Sequence, residues 1–61
     1  MIELKSDVFI DKRVNKTIFR LTMHKDGKVY STQVEYEKLL NKLSAESEFN
    51  IMILDLCNHL Y

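Results

Sequence analysis

The chain has 61 residues, enough for one domain spanning 1–61 and too few for two. Nine Lys/Arg balance nine Asp/Glu, so overall charge supports neither strong DNA binding nor wholesale DNA mimicry. The single cysteine excludes an internal disulfide, and no apolar run is long enough to span a membrane. Together with a start that lacks the apolar core of a signal peptide, these features predict a cytoplasmic protein.

The first predicted element is a strand in the first ten residues. Polar and apolar residues alternate there with a period of two, which is typical of a half-buried strand. One parity carries the apolar side chains Ile2, Leu4, Val8 and Ile10. The polar stretch from Asp11 to Lys16 then predicts a loop.

A β-hairpin is predicted next. Thr17 to His24 is rich in β-branched and aromatic residues, which favour a strand. Asp26-Gly27 after it is a strong signal for a two-residue type I′ turn. That turn predicts four cross-strand pairs: Lys25 with Lys28, Met23 with Tyr30, Leu21 with Thr32, and Phe19 with Val34.

A helix is predicted to follow the hairpin closely. Thr32 and Glu35 match a capping box, with Thr32 as the N-cap. The apolar residues behind the box recur at helical spacing: Tyr36, Leu39, Leu40 and Leu43. A helix starting there leaves a short third strand, roughly 28–31.

The last segment allows two interpretations. After a polar break at 44–48, one helical stripe collects Phe49, Met52, Ile53, Leu56, Cys57 and Leu60, with Ser44 or Ser47 as the cap. As a strand, the same segment would place Phe49, Ile51 and Ile53 on one face. We favour the helix because its pattern extends over twelve residues without glycine or proline.

The predicted fold is α+β: a three-stranded antiparallel sheet (β-β-β) followed by two helices packed on one face. The apolar parity of each strand is expected to face the helices.

Catalytic and metal-binding motifs are not evident. The only glycine is used in the hairpin, and Cys57 is best explained as a small core residue. His24 and His59 are interpreted as surface residues without a nearby nucleophile. The sequence therefore predicts a protein that is not an enzyme and has no cofactor or metal.

Two candidate binding surfaces emerge from the predicted faces. A protein partner is expected on the sheet face away from the helices, at Phe9, Ile18, Arg20, His24 and Val29. The alternative is a nucleic-acid-binding regulator that uses the basic residues Lys12, Arg13, Lys16 and Arg20.

The hairpin at Asp26-Gly27, the stretch TQVEYEKLLNKL, the polar break and the apolar tail together resemble small proteins of phages and mobile elements in Gram-positive bacteria. Some of those proteins are inhibitors of host enzymes, including acidic inhibitors of uracil-DNA glycosylase. The resemblance implies a phage or mobile-element-encoded inhibitor or modulator of a host protein. This chain has no net charge, so no residue role is carried over.

A homodimer is also expected, because a core this small barely offsets the entropy of folding and no disulfide is available. Residues 1–30 carry a net charge of +3 and residues 31–61 a net charge of −3, which favours association between copies. Two surfaces could serve: the outer sheet face with Phe9, Ile18 and Val29, or the tail with Ile51, Leu54 and Tyr61.

Overall fold

Three strands in chain order, β1 (Ile2–Asp11), β2 (Lys16–Lys25) and β3 (Lys28–Glu35), form an antiparallel sheet. The computed structural model describes residues 1–61. After the three strands come a short 3₁₀ turn at Tyr36–Leu39 and one long helix, α1 (Lys42–Leu60). The α+β prediction is confirmed, with one helix on the sheet in place of the expected two.

The β2–β3 turn has the predicted geometry. Asp26 has φ 51° and Gly27 has φ 81°, the left-handed conformations that a type I′ turn requires at both central positions. The strands pair on either side of it from Lys25 opposite Lys28 through to Ile18 opposite Glu35. All four predicted cross-strand pairs are confirmed.

The predicted capping box at Thr32–Glu35 is wrong. These residues continue β3, where Thr32 pairs with Leu21 and Val34 pairs with Phe19. The hairpin register therefore outcompetes the capping box, because a β-branched Val34 packs well on a sheet while helix formation would break these pairs. Only the single 3₁₀ turn remains of the expected first helix.

The helical interpretation of the last segment is confirmed, with an earlier start than predicted. Asn41 is the N-cap, and its side-chain oxygen accepts a hydrogen bond from the Leu43 amide at 3.0 Å. Neither predicted cap acts as one: Ser44 donates to the Lys38 carbonyl at 2.9 Å from inside the helix. The polar stretch 44–48 lies within the first turns of α1, where Glu46 and Ser47 are exposed and Ser44 and Glu48 are partly buried.

The core lies between α1 and the strands β2 and β3. Met52, Leu56 and Leu60 recur at every fourth position of α1 and pack on Leu21 and Met23 of β2. The partly buried residues around this cluster are Phe19, Tyr30, Val34 and Ile53. No residue of β1 belongs to the core.

Candidate protein-interaction surface

An apolar row on β1 lies on the helix side of the sheet and is open to solvent. Leu4 is directly opposite Met23 and Val8 is opposite Phe19, so these side chains point to the same face as the core residues of β2. The row, called here the β1 stripe, keeps about half or more of its surface exposed: Ile2 48%, Leu4 49%, Val8 53% and Ile10 63%.

The β1 stripe is uncovered because one helix cannot cover three strands. A helix with its side chains is about 10 Å wide, and strands lie about 4.8 Å apart, so one helix shields about two strands. Here α1 packs against β3 and β2. The expectation that the apolar parity of every strand meets the helices is thus wrong for β1, since the expected first helix is replaced by the end of β3 and the short 3₁₀ turn at Tyr36–Leu39.

The backbone of β1 is also open, because β1 is an edge strand paired only with β2. Its pairing is continuous over ten residues, with no bulge and no proline to discourage a further strand. The other edge strand, β3, is shorter and is covered by α1 on its core side. Strand β1 therefore combines unpaired peptide groups with an apolar face, the two features that edge-strand binding uses.

The five residues predicted to bind a protein partner lie on the opposite face of the sheet. Phe9 pairs with Ile18 and His24 pairs with Val29, at the two ends of the sheet. Ile18 is only 6% exposed, so its predicted exposure is wrong, whereas Val29 is 59% exposed. Phe9 and Val29 are therefore single apolar residues at separate ends of this face.

Charged cross-strand contacts occupy the centre of that outer face. Arg20 donates two hydrogen bonds to Asp7, at 3.0 and 2.7 Å, and its guanidinium lies 4.9 Å from the centre of the Phe9 ring. The bonds to Asp7 raise the pKa of Arg20 above its ordinary value. Thr22 and Ser31 share a hydrogen bond of 2.8 Å beside them. Arg20, Asp7, Thr22 and Ser31 therefore have hydrogen-bond partners within the chain.

The basic residues proposed to contact nucleic acid are mostly paired with carboxylates. Arg13 lies 3.2 Å from Asp11, and Lys16 lies 3.4 Å from Glu35. Arg20 is held by Asp7, which leaves Lys12 as the member of the set without an ion pair. A phosphate would have to compete with carboxylates at three of the four positions.

A polar cluster that the sequence did not reveal anchors the end of α1 to β3. The rings of Tyr30 and His59 stack with centres 3.8 Å apart, and the Tyr30 hydroxyl donates to Asp55 at 3.4 Å. Partial burial, then the Asp55 carboxylate, raises the pKa of Tyr30 and keeps the phenol a donor. The i, i+4 spacing of Asp55 and His59 was the only sign in the sequence that these two side chains could meet on the helix.

This cluster continues to the last residues of the chain. Lys25 donates to the Leu60 carbonyl at 3.3 Å, and its ammonium lies 3.3 Å from the centre of the Tyr61 ring. A cation at the C-terminal end of a helix is favoured by the helix dipole. These contacts attach α1 to the sheet, and no serine or cysteine nucleophile takes part in them.

The depressions in the surface are shallow and open to solvent. Two open depressions of about 340 and 280 Å³ lie at the two ends of the sheet, and only two hydrophobic residues line each of them. No three His, Cys, Asp or Glu side chains converge to hold a metal ion. None of the helices has both the length and the apolar character needed to cross a bilayer.

Comparisons with protein-family models, with curated proteins and with solved structures returned no match.

Proposed function

We propose that this chain is a non-enzymatic protein-binding module, an inhibitor or modulator of a host protein, whose binding surface is β1. The observation that carries the proposal is the exposed β1 stripe beside the unpaired edge of the same strand. The site differs from the outer sheet face predicted from the sequence, where Ile18 is buried and Arg20 is already bonded.

Edge-strand addition supplies both affinity and selectivity. An extended segment of a partner would hydrogen-bond to the free peptide groups of β1, and alternate side chains of that segment would contact the β1 stripe. Each fully buried aliphatic side chain contributes about 1.5–3 kcal/mol relative to exposure. The four residues of the stripe are already about half buried, so a partner strand would gain part of this contribution from each of them, in addition to the backbone hydrogen bonds.

The proposal of inhibition follows from what such binding does to a partner. A partner strand held on β1 is removed from its own contacts, so the partner is blocked without any chemistry on the part of this chain. A nucleic-acid-binding role has less support, because Arg13, Lys16 and Arg20 already pair with carboxylates.

The test compares two substitutions that each add one charge to an exposed valine of this sheet. Val8→Lys places the charge in the β1 stripe, and Val29→Lys places it on the outer face of β3. Immobilised wild-type protein and both variants are used to capture proteins from a bacterial lysate, and cross-linked peptides locate the contact. We expect capture through β1 that is lost with Val8→Lys and kept with Val29→Lys. Equal capture by both variants would overturn the proposal.

A further inference from the structure

We propose that β1 also recognises β1 of a second copy of this chain, in one register centred on Ser6, and that this dimer masks the binding surface. The inference rests on the proposed function, because it names an occupant for the same edge. It comes from the order of side chains along β1: the four residues of the β1 stripe are placed symmetrically about Ser6, and Lys5 and Asp7 on either side of Ser6 carry opposite charges.

Antiparallel strands of two copies are related by a two-fold axis perpendicular to the sheet. Such an axis keeps the faces of the sheet, so residues pair only with residues of the same parity. With Ser6 on the axis, the pairs between the copies are Lys5 with Asp7, Leu4 with Val8, Glu3 with Phe9, and Ile2 with Ile10. Every apolar residue of the β1 stripe then meets another apolar residue.

Charge selects this register over its neighbours. Centring the axis on Lys5 would place Lys5 against its own copy and Glu3 against Asp7. Centring it on Asp7 would place Asp7 against its own copy and Glu3 against Asp11. Like charges directly opposite each other on a sheet are destabilising, and opposite charges are stabilising. The Ser6-centred register is the one of the three without a repulsive pair.

The contacts within each copy are compatible with this pairing. Asp7 meets Arg20 on the β2 side, at 2.7 Å, and would meet Lys5 of the second copy on its free side. Lys5 already lies 3.0 Å from Glu3 of its own strand. The outer face of the joined sheet therefore continues the alternation of charges that each copy has alone.

The dimer joins the two sheets into one of six strands, with both β1 stripes side by side on its helix face. Stable interfaces bury about 800 Å² per partner, about a sixth of the 4696 Å² this chain exposes. One edge strand and its stripe bury less than that, so we expect dissociation at about micromolar concentration. At higher concentrations the edge is occupied and unavailable to another protein.

The register is tested by mixing two charge variants. In a homodimer of Lys5→Glu, the glutamate of each copy lies opposite Asp7 of the other copy. In a homodimer of Asp7→Lys, the new lysine of each copy lies opposite Lys5 of the other. Each homodimer should weaken about tenfold, since two such pairs each cost up to about 1 kcal/mol. Mixed together, the two variants restore both attractions, and native mass spectrometry should show mainly the heterodimer. Circular dichroism of each variant confirms that it is folded.

A disulfide locates the axis independently. In a Cys57→Ser background, Ser6→Cys should give a cross-linked dimer on mild oxidation, because two copies of residue 6 lie directly opposite each other. Ser31→Cys, an exposed serine on the other edge strand, should stay monomeric.

The outcomes separate this inference from the proposed function. A monomer by light scattering at high micromolar concentration, or equal cross-linking of both cysteine variants, overturns the dimer. Even if the dimer is overturned, the proposed function stands when another protein is captured by the wild type and not by Val8→Lys. If the disulfide-linked dimer of Ser6→Cys still captures that protein fully, the dimer does not mask the binding surface, and that part of the inference is refuted.

Discussion

The pairing of Asp11 with Arg13 closes the loop between β1 and β2. The Asp11 carboxylate accepts from the Arg13 amide at 3.0 Å and from its guanidinium at 3.3 and 3.2 Å. These hydrogen bonds lower the pKa of Asp11 below its ordinary 3.8. A carboxyl group with a depressed pKa in the folded state stabilises the fold above its unfolded pKa, and that contribution is lost as the pH falls through the lowered value.

Arg13→Gln should therefore raise the pKa of Asp11 back toward its ordinary value, because the side-chain hydrogen bonds of Arg13 are the largest cause of the lowered pKa. A titration of the side-chain carboxyl followed by NMR measures this shift. Arg20→Gln is the control, since Arg20 pairs with Asp7 rather than with Asp11. An unchanged pKa of Asp11 in Arg13→Gln would contradict the assigned cause.

Leu56 is the central residue of the core and is fully buried, whereas Leu54 on the same helix is 62% exposed. Leu56→Ala should lower the free energy of unfolding by about 3 kcal/mol, a large part of the total for a domain of this size. Leu54→Ala should change it by less than about 0.5 kcal/mol. Urea denaturation measures both, and similar losses in the two variants would contradict the placement of the core.

At the scale of elements, the β2–β3 hairpin determines more of the fold than the capping signal that follows it. Gly27 has φ 81°, and a Cβ built there would meet no atom within 4 Å. Gly27→Ala should therefore cost about 1 kcal/mol from backbone strain alone. Asp26→Asn should be nearly neutral, because asparagine also accepts this turn conformation. Thermal unfolding separates the two, and a neutral Gly27→Ala would contradict the type I′ geometry.

The sequence predicted the elements that depend on local patterns and missed those decided by competition between them. The alternation in β1, the turn at Asp26-Gly27 and the period of α1 are each visible within about ten residues. Thr32–Glu35 satisfies both a strand register and a capping box, and only the pairing of Val34 with Phe19 decides between them. Local sequence propensity does not predict long-range contacts of this kind.

The same competition explains why the sequence pointed to the outer face of the sheet, and not to β1, as the binding surface. Two helices would have covered all three strands and left only the outer face for a partner. With one helix, the stripe that was predicted to be core becomes the exposed surface. Ile18 shows the converse: a residue predicted to be exposed is buried at the end of the sheet nearest the 3₁₀ turn.

At the scale of the whole molecule, the uncovered β1 strand should make thermal stability depend on protein concentration. If two copies pair through β1, the melting temperature should rise with concentration, because association stabilises the folded state by mass action. Val8→Lys should remove this dependence and Val29→Lys should retain it. Differential scanning calorimetry across a wide concentration range measures both, and a concentration-independent wild type would contradict pairing.

The placement of α1 over β2 and β3 also divides the molecule into parts that open separately. The amides shared by β2 and β3 are released only when the core around Leu56 opens, so their exchange with solvent deuterium follows global unfolding. Strand β1 is retained by β2 alone, and it can detach while the rest stays folded. We therefore expect the amides shared by β1 and β2 to exchange faster than those shared by β2 and β3 in the single chain, and to slow when another strand occupies the edge of β1.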